Sequence, residues 1–280
     1  MARKNNVNAI ALDNGKRKIT WKLIKKQREL VFLSIPFVAY VLLFNYVPLL
    51  GWVMAFQKYK PQLGIFRSQF VGLQKFKELF VGNMDFLRVI RNTLAMGVIN
   101  LVLSFIFAIG FALVLNEVKH KGPKKFVQTI SYLPHFLSWI IVCGILRDCL
   151  SVENGIVNEV LVKLRISKAP VNFFTIKSLF WWIVGFANVW KETGWNSIIY
   201  LAAITSINPD LYEAASIDGA GRLRKMWHIT LPGIKPTIFI LLLINIGWVL
   251  NAGFEIQYLL TNGIVQSVSQ TIDIYVLKYG

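Results

Sequence analysis

Apolar residues come along this chain in long runs, separated by short polar stretches that are mostly basic. A helix rises about 1.5 Å per residue, so roughly 20 apolar residues cross the hydrocarbon core of a bilayer. Five runs are long enough, at residues 31–56, 93–118, 126–150, 173–204 and 238–260. The first contains Pro36 and Pro48 and the third Pro134, and proline is where a helix kinks. The fourth is polar at its centre. Inside a bilayer no water satisfies backbone groups, so the pattern predicts an all-α integral membrane bundle of five spanning helices. Residues 1–30 read as a polar, basic N-terminal tail; the first apolar run after it stays in place as a signal anchor and is not cleaved. Residues 265–280 are semi-polar and too short to span.

Composition agrees. Of 280 residues, 55% are hydrophobic and 16% charged, against about 25% charged in a soluble domain. The net charge of +17 belongs to the flanks of the spans, where Lys and Arg gather on the cytoplasmic side. No nucleic-acid motif accompanies it. The densest basic clusters are the tail, the stretch Lys119, Lys121, Lys124 and Lys125, and the stretch Arg222, Arg224, Lys225 and Lys235. All three fall on one side if the N-terminus is cytoplasmic. Cys143 and Cys149, on different faces of one helix, read as small buried hydrophobes and not as a disulfide or metal pair. His120, His135 and His228 have no metal-ligand spacing.

The polar loop at 205–236 carries the densest local code. Asn208 suits a helix N-cap, Pro209 the first helical position, and Asp210 and Glu213 the positive end of the helix dipole. Ala214 and Ala215 are strong helix formers with little bulk. Gly219 suits a helix C-terminus, and Pro232 and Pro236 mark entry to the fifth span. The residues thus encode a short helix, a sharp glycine turn and a second, basic helical stretch. From the residues alone two readings stay equally open: a small-residue face that enters a cleft on another protein, or an amphipathic helix lying on the membrane.

Glu213-Ala214-Ala215, then Asp218-Gly219, then Ile229, Leu231 and Pro232 at this spacing resemble the signature loop of permease subunits of binding-protein-dependent ABC importers. The resemblance extends in helix order over residues 30–280. Tyr132-Leu133-Pro134, Trp190-Lys191-Glu192-Thr193-Gly194-Trp195 and Tyr200-Leu201-Ala202-Ala203 resemble the sugar-importing branch, like the inner membrane component of a maltose transporter. The resemblance implies that the loop is a coupling helix docking into a separate ATPase. It also implies a second permease forming a heterodimer, two ATPase subunits that bind ATP and Mg, an extracytoplasmic solute-binding protein, and the bacterial cytoplasmic (inner) membrane as location. The implied cargo is a sugar, and oligosaccharides from polysaccharide breakdown above others. Members of the branch have a six-helix core, so a sixth helix is expected beyond the five seen here. The chain has no phosphate-binding Gly-x-x-x-x-Gly-Lys-Ser/Thr loop, so no cofactor is expected on it and any ATP must be bound by a partner.

In the fourth span Asn188, Lys191, Glu192, Trp195 and Asn196 fall near one helical face. In the fifth, Asn245, Trp248, Asn251 and Glu255 do the same. Amides and carboxylates bond sugar hydroxyls and an indole packs on a sugar's apolar face, so both sets are candidate pathway residues. The same residues would also serve as hydrogen-bond partners between helices. A membrane enzyme would need a nucleophile cluster, which the sequence lacks. A channel would need a repeated filter or charged ring, also lacking. A permease for a non-sugar solute remains the nearest alternative.

Overall fold

Pro48 sets the character of the first span. With no N–H and a ring that clashes with the carbonyl four residues back, it cannot sit in an undisturbed α-helix. In the computed structural model, which describes residues 27–279, helix α1 (Arg28–Val41) widens into a π-turn over Leu42–Tyr46. It then tightens into a 3-10 helix over Val47–Phe56. The whole stretch Arg28–Phe56 remains one apolar span of 29 residues. Residues 1–26, most of the expected basic tail, lie outside the described residues. By packing, the chain divides into two units at Gly82, a boundary inside the single domain expected over 31–280.

The first unit continues directly from the span into a hairpin. Gln57–Lys58 (β1) pairs antiparallel with Gln69–Phe70 (β2), Gln57 opposite Phe70. The turn between them carries one helical turn, α2 (Gly64–Arg67). Helix α3 (Gln74–Gly82) follows. Phe56 lies 6.4 Å from Phe70 and 5.4 Å from Phe76, centroid to centroid, which ties strand, span end and α3 together.

The second unit is built on two long helices, α4 (Met84–Asn116) and the later α8 (Lys177–Thr205). Asn83 caps α4, its side chain accepting from Asp85 N and Phe86 N at 3.1 Å. The span expected at 126–150 is not one helix. α5 (Lys121–Tyr132) runs into a 3-10 turn at Leu133–Phe136, and α6 (Trp139–Cys149) leaves it at 103°. Pro134 starts the break and the Ser138 hydroxyl, accepting from Ile141 N at 3.4 Å, restarts the helix. α7 (Ile156–Lys163) precedes α8. After α8 come α9 (Pro209–Ile217), α10 (Arg222–Lys225), a π-turn at Met226–Thr230, α11 (Leu231–Gly233) and α12 (Lys235–Ile246). The span expected at 238–260 is also interrupted: α12 ends at Ile246, residues 247–253 are not helical, and α13 (Phe254–Leu260) resumes beyond Gly253 at φ 84°. Short helices α14 (Gln266–Ser269) and α15 (Ile272–Tyr279) end the chain. Among the described residues, two helices qualify as spans by length and apolarity, Arg28–Phe56 and Met84–Asn116, and up to four if each bent pair counts as one. α8 is long enough at 29 residues but polar at its centre.

Two apolar clusters form the core. One joins Met96, Cys143, Phe180, Val184, Ala252, Ile256 and Leu260; the other joins Ala108, Ala112, Leu115, Tyr200, Leu201, Ile204 and Ile234. Lipid tails are as apolar as leucine, so helices in a membrane gain by close backbone approach, not by leaving the solvent. Three positions show it. A Cβ on Gly185 would lie 2.9 Å from Leu103, one on Gly194 2.0 Å from the Ser131 carbonyl oxygen, and one on Gly97 1.9 Å from the Val249 carbonyl oxygen. Gly194 therefore lets α8 touch the backbone of α5 at the 103° break. Gly194→Val should lower the thermal stability of the purified complex by more than the ~1–3 kcal/mol of ordinary overpacking, because backbone must move. Gly110→Ala, whose Cβ would meet nothing within 4 Å, should leave the melting temperature unchanged in the same assay.

Candidate functional site

The two interruptions put polar chemistry beside α8. A cleft of about 240 Å³ opens between α4, α8 and the non-helical 247–253 segment. Asn188 and Asn196 of α8, Asn245 of α12, and Trp248 and Asn251 of the break line it. Asn188 Nδ2 donates to Ser104 Oγ of α4 at 3.3 Å, and Asn245 Nδ2 to the Leu241 carbonyl at 2.8 Å. Trp248 is exposed and offers its indole face. Asn100 and Ser104 complete the wall from α4. The sequence reading missed both, since each is a single polar interruption in an otherwise apolar run. No lining residue carries a charge. The cleft therefore offers neutral hydrogen-bond donors and acceptors together with the aromatic rings of Trp248 and Phe105.

Lys191, Glu192 and Trp195, grouped with these residues in the sequence, turn to a different neighbour. Lys191 is 6% exposed. Its Nζ donates to the His135 carbonyl at 2.7 Å and to Glu192 Oε1 at 3.0 Å, and sits 5.3 Å above the Trp139 ring. Glu192 Oε2 lies 2.7 Å from His135 Nδ1. The His135 ring stacks on Trp195 at 4.4 Å, nearly parallel. The Tyr132-Leu133-Pro134 and Trp190–Trp195 motifs are thus one structure. The break in α5–α6 frees a backbone carbonyl at His135, Lys191 satisfies it, and Glu192 neutralises Lys191. Glu255 stands exposed in the first turn of α13, outside the cleft lining. Among the described residues no group of His, Cys, Asp and Glu has the arrangement to hold a metal.

The loop at 205–236 folds as its residues dictate. Asn208 Oδ1 accepts from Asp210 N at 3.0 Å and Pro209 opens α9. Ala220 N bonds the Ala215 carbonyl at 2.8 Å and Gly219 N the Ser216 carbonyl at 3.2 Å, with Gly219 at φ 75°. This pair of bonds is the Schellman closure, which needs the left-handed conformation glycine adopts freely. Two side-chain bonds staple α9 to the stretch after it. Tyr212 Oη meets Thr230 Oγ1 at 3.0 Å, and Lys225 Nζ donates to Ser216 Oγ at 2.5 Å. The sequence-chosen residues then divide by exposure. Glu213, Ala214, Asp218 and Gly219 are exposed and Ala215 half-buried, beside Ile217 at 87% exposed. Ile229 and Leu231 are half-buried, and Leu231 packs on the cluster of Ala112, Tyr200 and Ile204 beside exposed Pro232. The loop is a displayed knob on a rooted stalk. The stalk bends by 58° between Gly233 and Lys235 and continues as α12, which ends at the cleft.

Removing Lys191 alone strands the His135 carbonyl and leaves the Glu192 carboxylate with His135 Nδ1 but without its cation. Lys191→Met should therefore cost about 3–5 kcal/mol of stability, as for other broken buried pairs. Lys191→Met combined with Glu192→Gln should cost clearly less than the sum of the two single changes. A double-mutant cycle on the melting of the purified complex checks both; simple additivity would separate the two residues.

Residues 104–280 match the family model described as "Binding-protein-dependent transport system inner membrane component". The chain is 45% identical over 274 residues to the polygalacturonan/rhamnogalacturonan transport system permease protein YteP of Bacillus subtilis, covering 98% of this chain and 84% of that one. It is 29% identical to the trehalose/maltose transport system permease protein MalF of Thermococcus litoralis, over 96% of this chain and 88% of that one. Among solved structures it resembles a chain of a bacterial alginate ABC transporter in complex with an alginate pentasaccharide-bound periplasmic protein, with TM-score 0.84 and 40% identity over 94% of this chain and 86% of that one. With the broken spans, the stapled loop and these likenesses together, the chain belongs to the inner membrane component family of binding-protein-dependent transport systems and is a permease subunit of an ABC importer.

Proposed function

We propose that this permease carries oligosaccharides released from polysaccharides across the bacterial cytoplasmic membrane, with its N-terminus inside. In this reading it pairs with a second permease, takes cargo from an extracytoplasmic binding protein, and is driven by two ATPase subunits that bind ATP and Mg. The observation that carries the reading is the cleft itself: Asn188, Asn196, Asn245 and Asn251 beside Trp248. Neutral amides exchange hydrogen bonds with hydroxyls in either sense, and an indole packs on the apolar face of a pyranose. The relatives named for polygalacturonan/rhamnogalacturonan and for alginate make uronate oligosaccharides the first cargo to test. Lys191, Glu192 and Trp195 serve as the frame of the neighbouring break, not as sugar contacts.

Coupling follows from the connectivity. Glu213, Ala214, Ala215, Asp218 and Gly219 form the knob that enters the ATPase, with Ile229, Leu231 and Pro232 as its root. When the ATPases close on ATP, a push on α9 passes through the Tyr212–Thr230 and Lys225–Ser216 staples into the stalk and along α12 to Asn245 and the break. One packing opens the cleft outward and the other inward. Both rest on interfaces that pack in discrete ways.

The test is ATP hydrolysis and labelled-oligosaccharide uptake by proteoliposomes holding this permease, its partner permease, the ATPases and the binding protein. Loaded binding protein should stimulate both. Gly219→Val, which forces a β-branched residue into left-handed backbone, should abolish both while the stalk stays folded. Asn251→Leu should retain hydrolysis and lower apparent cargo affinity about five-fold, the worth of roughly 1 kcal/mol for one hydrogen bond. Uptake that ignores the binding protein, or a Gly219→Val complex that transports normally, would overturn the coupling reading.

A further inference from the structure

The hairpin that follows the first span presents an apolar tip that the transport reading leaves unused. No charged residue lies between Glu29 and Lys58, so Lys58 marks where the span meets the lipid headgroups. The hairpin starts at Gln57, one residue before that mark. The tip, Leu63 to Phe66, lies five to eight residues beyond that mark, so chain length alone keeps it within roughly 30 Å of the headgroups.

The tip is ordered, not a loose loop. Leu63 N and Gly64 N both bond the Lys60 carbonyl, at 2.9 and 3.1 Å. Ser68, buried at the base, donates to the Gly64 carbonyl at 2.7 Å and accepts from Lys60 N at 3.2 Å. Gly64 takes φ 68° to close the turn. This frame holds Phe66 at 98% exposure, with Leu63 also exposed beside it. Lys60 and Arg67 flank these two side chains and are themselves exposed. Residues 57–82 contain five cations, Lys58, Lys60, Arg67, Lys75 and Lys77, and one acid, Glu78. Glu78 is already paired with Lys75 at 2.7 Å, whose hydrogen bond holds the Glu78 carboxyl below the usual carboxylate range.

We propose that this tip is a membrane anchor: Phe66 and Leu63 enter the headgroup–acyl boundary while Lys60 and Arg67 bind anionic lipid phosphates. An apolar residue fixed by a hydrogen-bonded frame and ringed by cations is suited to such a surface, since the rings and aliphatic carbons take the acyl boundary and the charges take the headgroups. The bilayer lies within the reach of the tip, and its headgroups and acyl boundary match the paired cations and apolar side chains. The anchor fixes the depth of the first span and keeps it from sliding along its axis.

The test uses the complete transporter in nanodiscs, with Cys143 and Cys149 replaced by serine and Phe66→Cys carrying an environment-sensitive fluorophore. In discs rich in phosphatidylglycerol the emission should shift to the blue and be quenched by nitroxide on lipid but not by aqueous iodide. Lys60→Glu with Arg67→Glu, or discs of phosphatidylcholine alone, should weaken the lipid quenching. Quenching by iodide would place the tip in water and overturn the proposal. So would a blue shift without lipid quenching, which would place it against protein, and so would equal lipid quenching in neutral discs. Each readout is independent of cargo, so its failure leaves the oligosaccharide reading standing.

Discussion

At membrane depth every backbone carbonyl and every charge must find its partner inside the protein, and among the described residues two apolar runs read as spans are interrupted, at the α5–α6 turn and at residues 247–253. Each break has a carbonyl satisfied by a side chain. Lys191 of α8 satisfies the His135 carbonyl at the α5–α6 turn, and Glu192 balances the charge so introduced. At the second break, the Gln257 side chain of α13 donates to the Ala252 carbonyl; at the far end of α13, Arg147 of α6 donates to the Leu259 carbonyl. Irregular backbone is tolerated in a membrane where it is buried in protein or lines a cavity. Here the first break is buried against α8, and the second lines the cleft.

The packing around these breaks is dictated by small residues. Gly194 lets the backbone of α5 rest on α8, and Gly97 lets the 247–253 segment rest on α4. With no Cβ between them, these contacts are set by backbone atoms, which cannot adjust by changing rotamer. A bundle assembled from such contacts shifts between discrete packings more readily than it deforms. That property makes a bent stalk, rooted by Leu231 and Ile234 in the lower core cluster, a means of passing motion from an exposed knob to a cleft.

Much of this was legible in the sequence, and what was not has physical causes. The long helical stretches Arg28–Phe56, α4 and α8 followed from apolar runs, and Asn208, Pro209 and Gly219 gave the caps and turn of the 205–236 loop, because capping is a local code. The broken spans were harder. Pro134 marked a kink, but a 103° turn depends on Lys191, some 57 residues later, being there to take the freed carbonyl. Residues 247–253 contain no proline; Gly247, Asn251 and Gly253, the last at φ 84°, mark the interruption locally, and the segment's contact with Gly97 of α4 is a long-range feature that hydropathy does not register. Helical periodicity set Asn188 and Asn196 on one face of the fourth span and Asn245, Trp248 and Asn251 on one face of the fifth, and the structure brings these five to one cleft. It also swept in Lys191, Glu192 and Trp195, since it describes one helix face and says nothing of which neighbour covers each part. Glu255 was placed by continuing a helix that in fact stops at Ile246.

In the proposed transport cycle, cargo passes the neutral amide cleft at the second break and not the charged cluster at the first. Its most direct test is a structure of the assembled transporter trapped during turnover with a bound uronate oligosaccharide. The account predicts sugar density within hydrogen-bond distance of Asn188, Asn245 and Asn251, with a ring against Trp248 and the Lys191–Glu192–His135 contacts intact. Density lodged instead against Lys191 and Glu192, with those contacts opened, would contradict it.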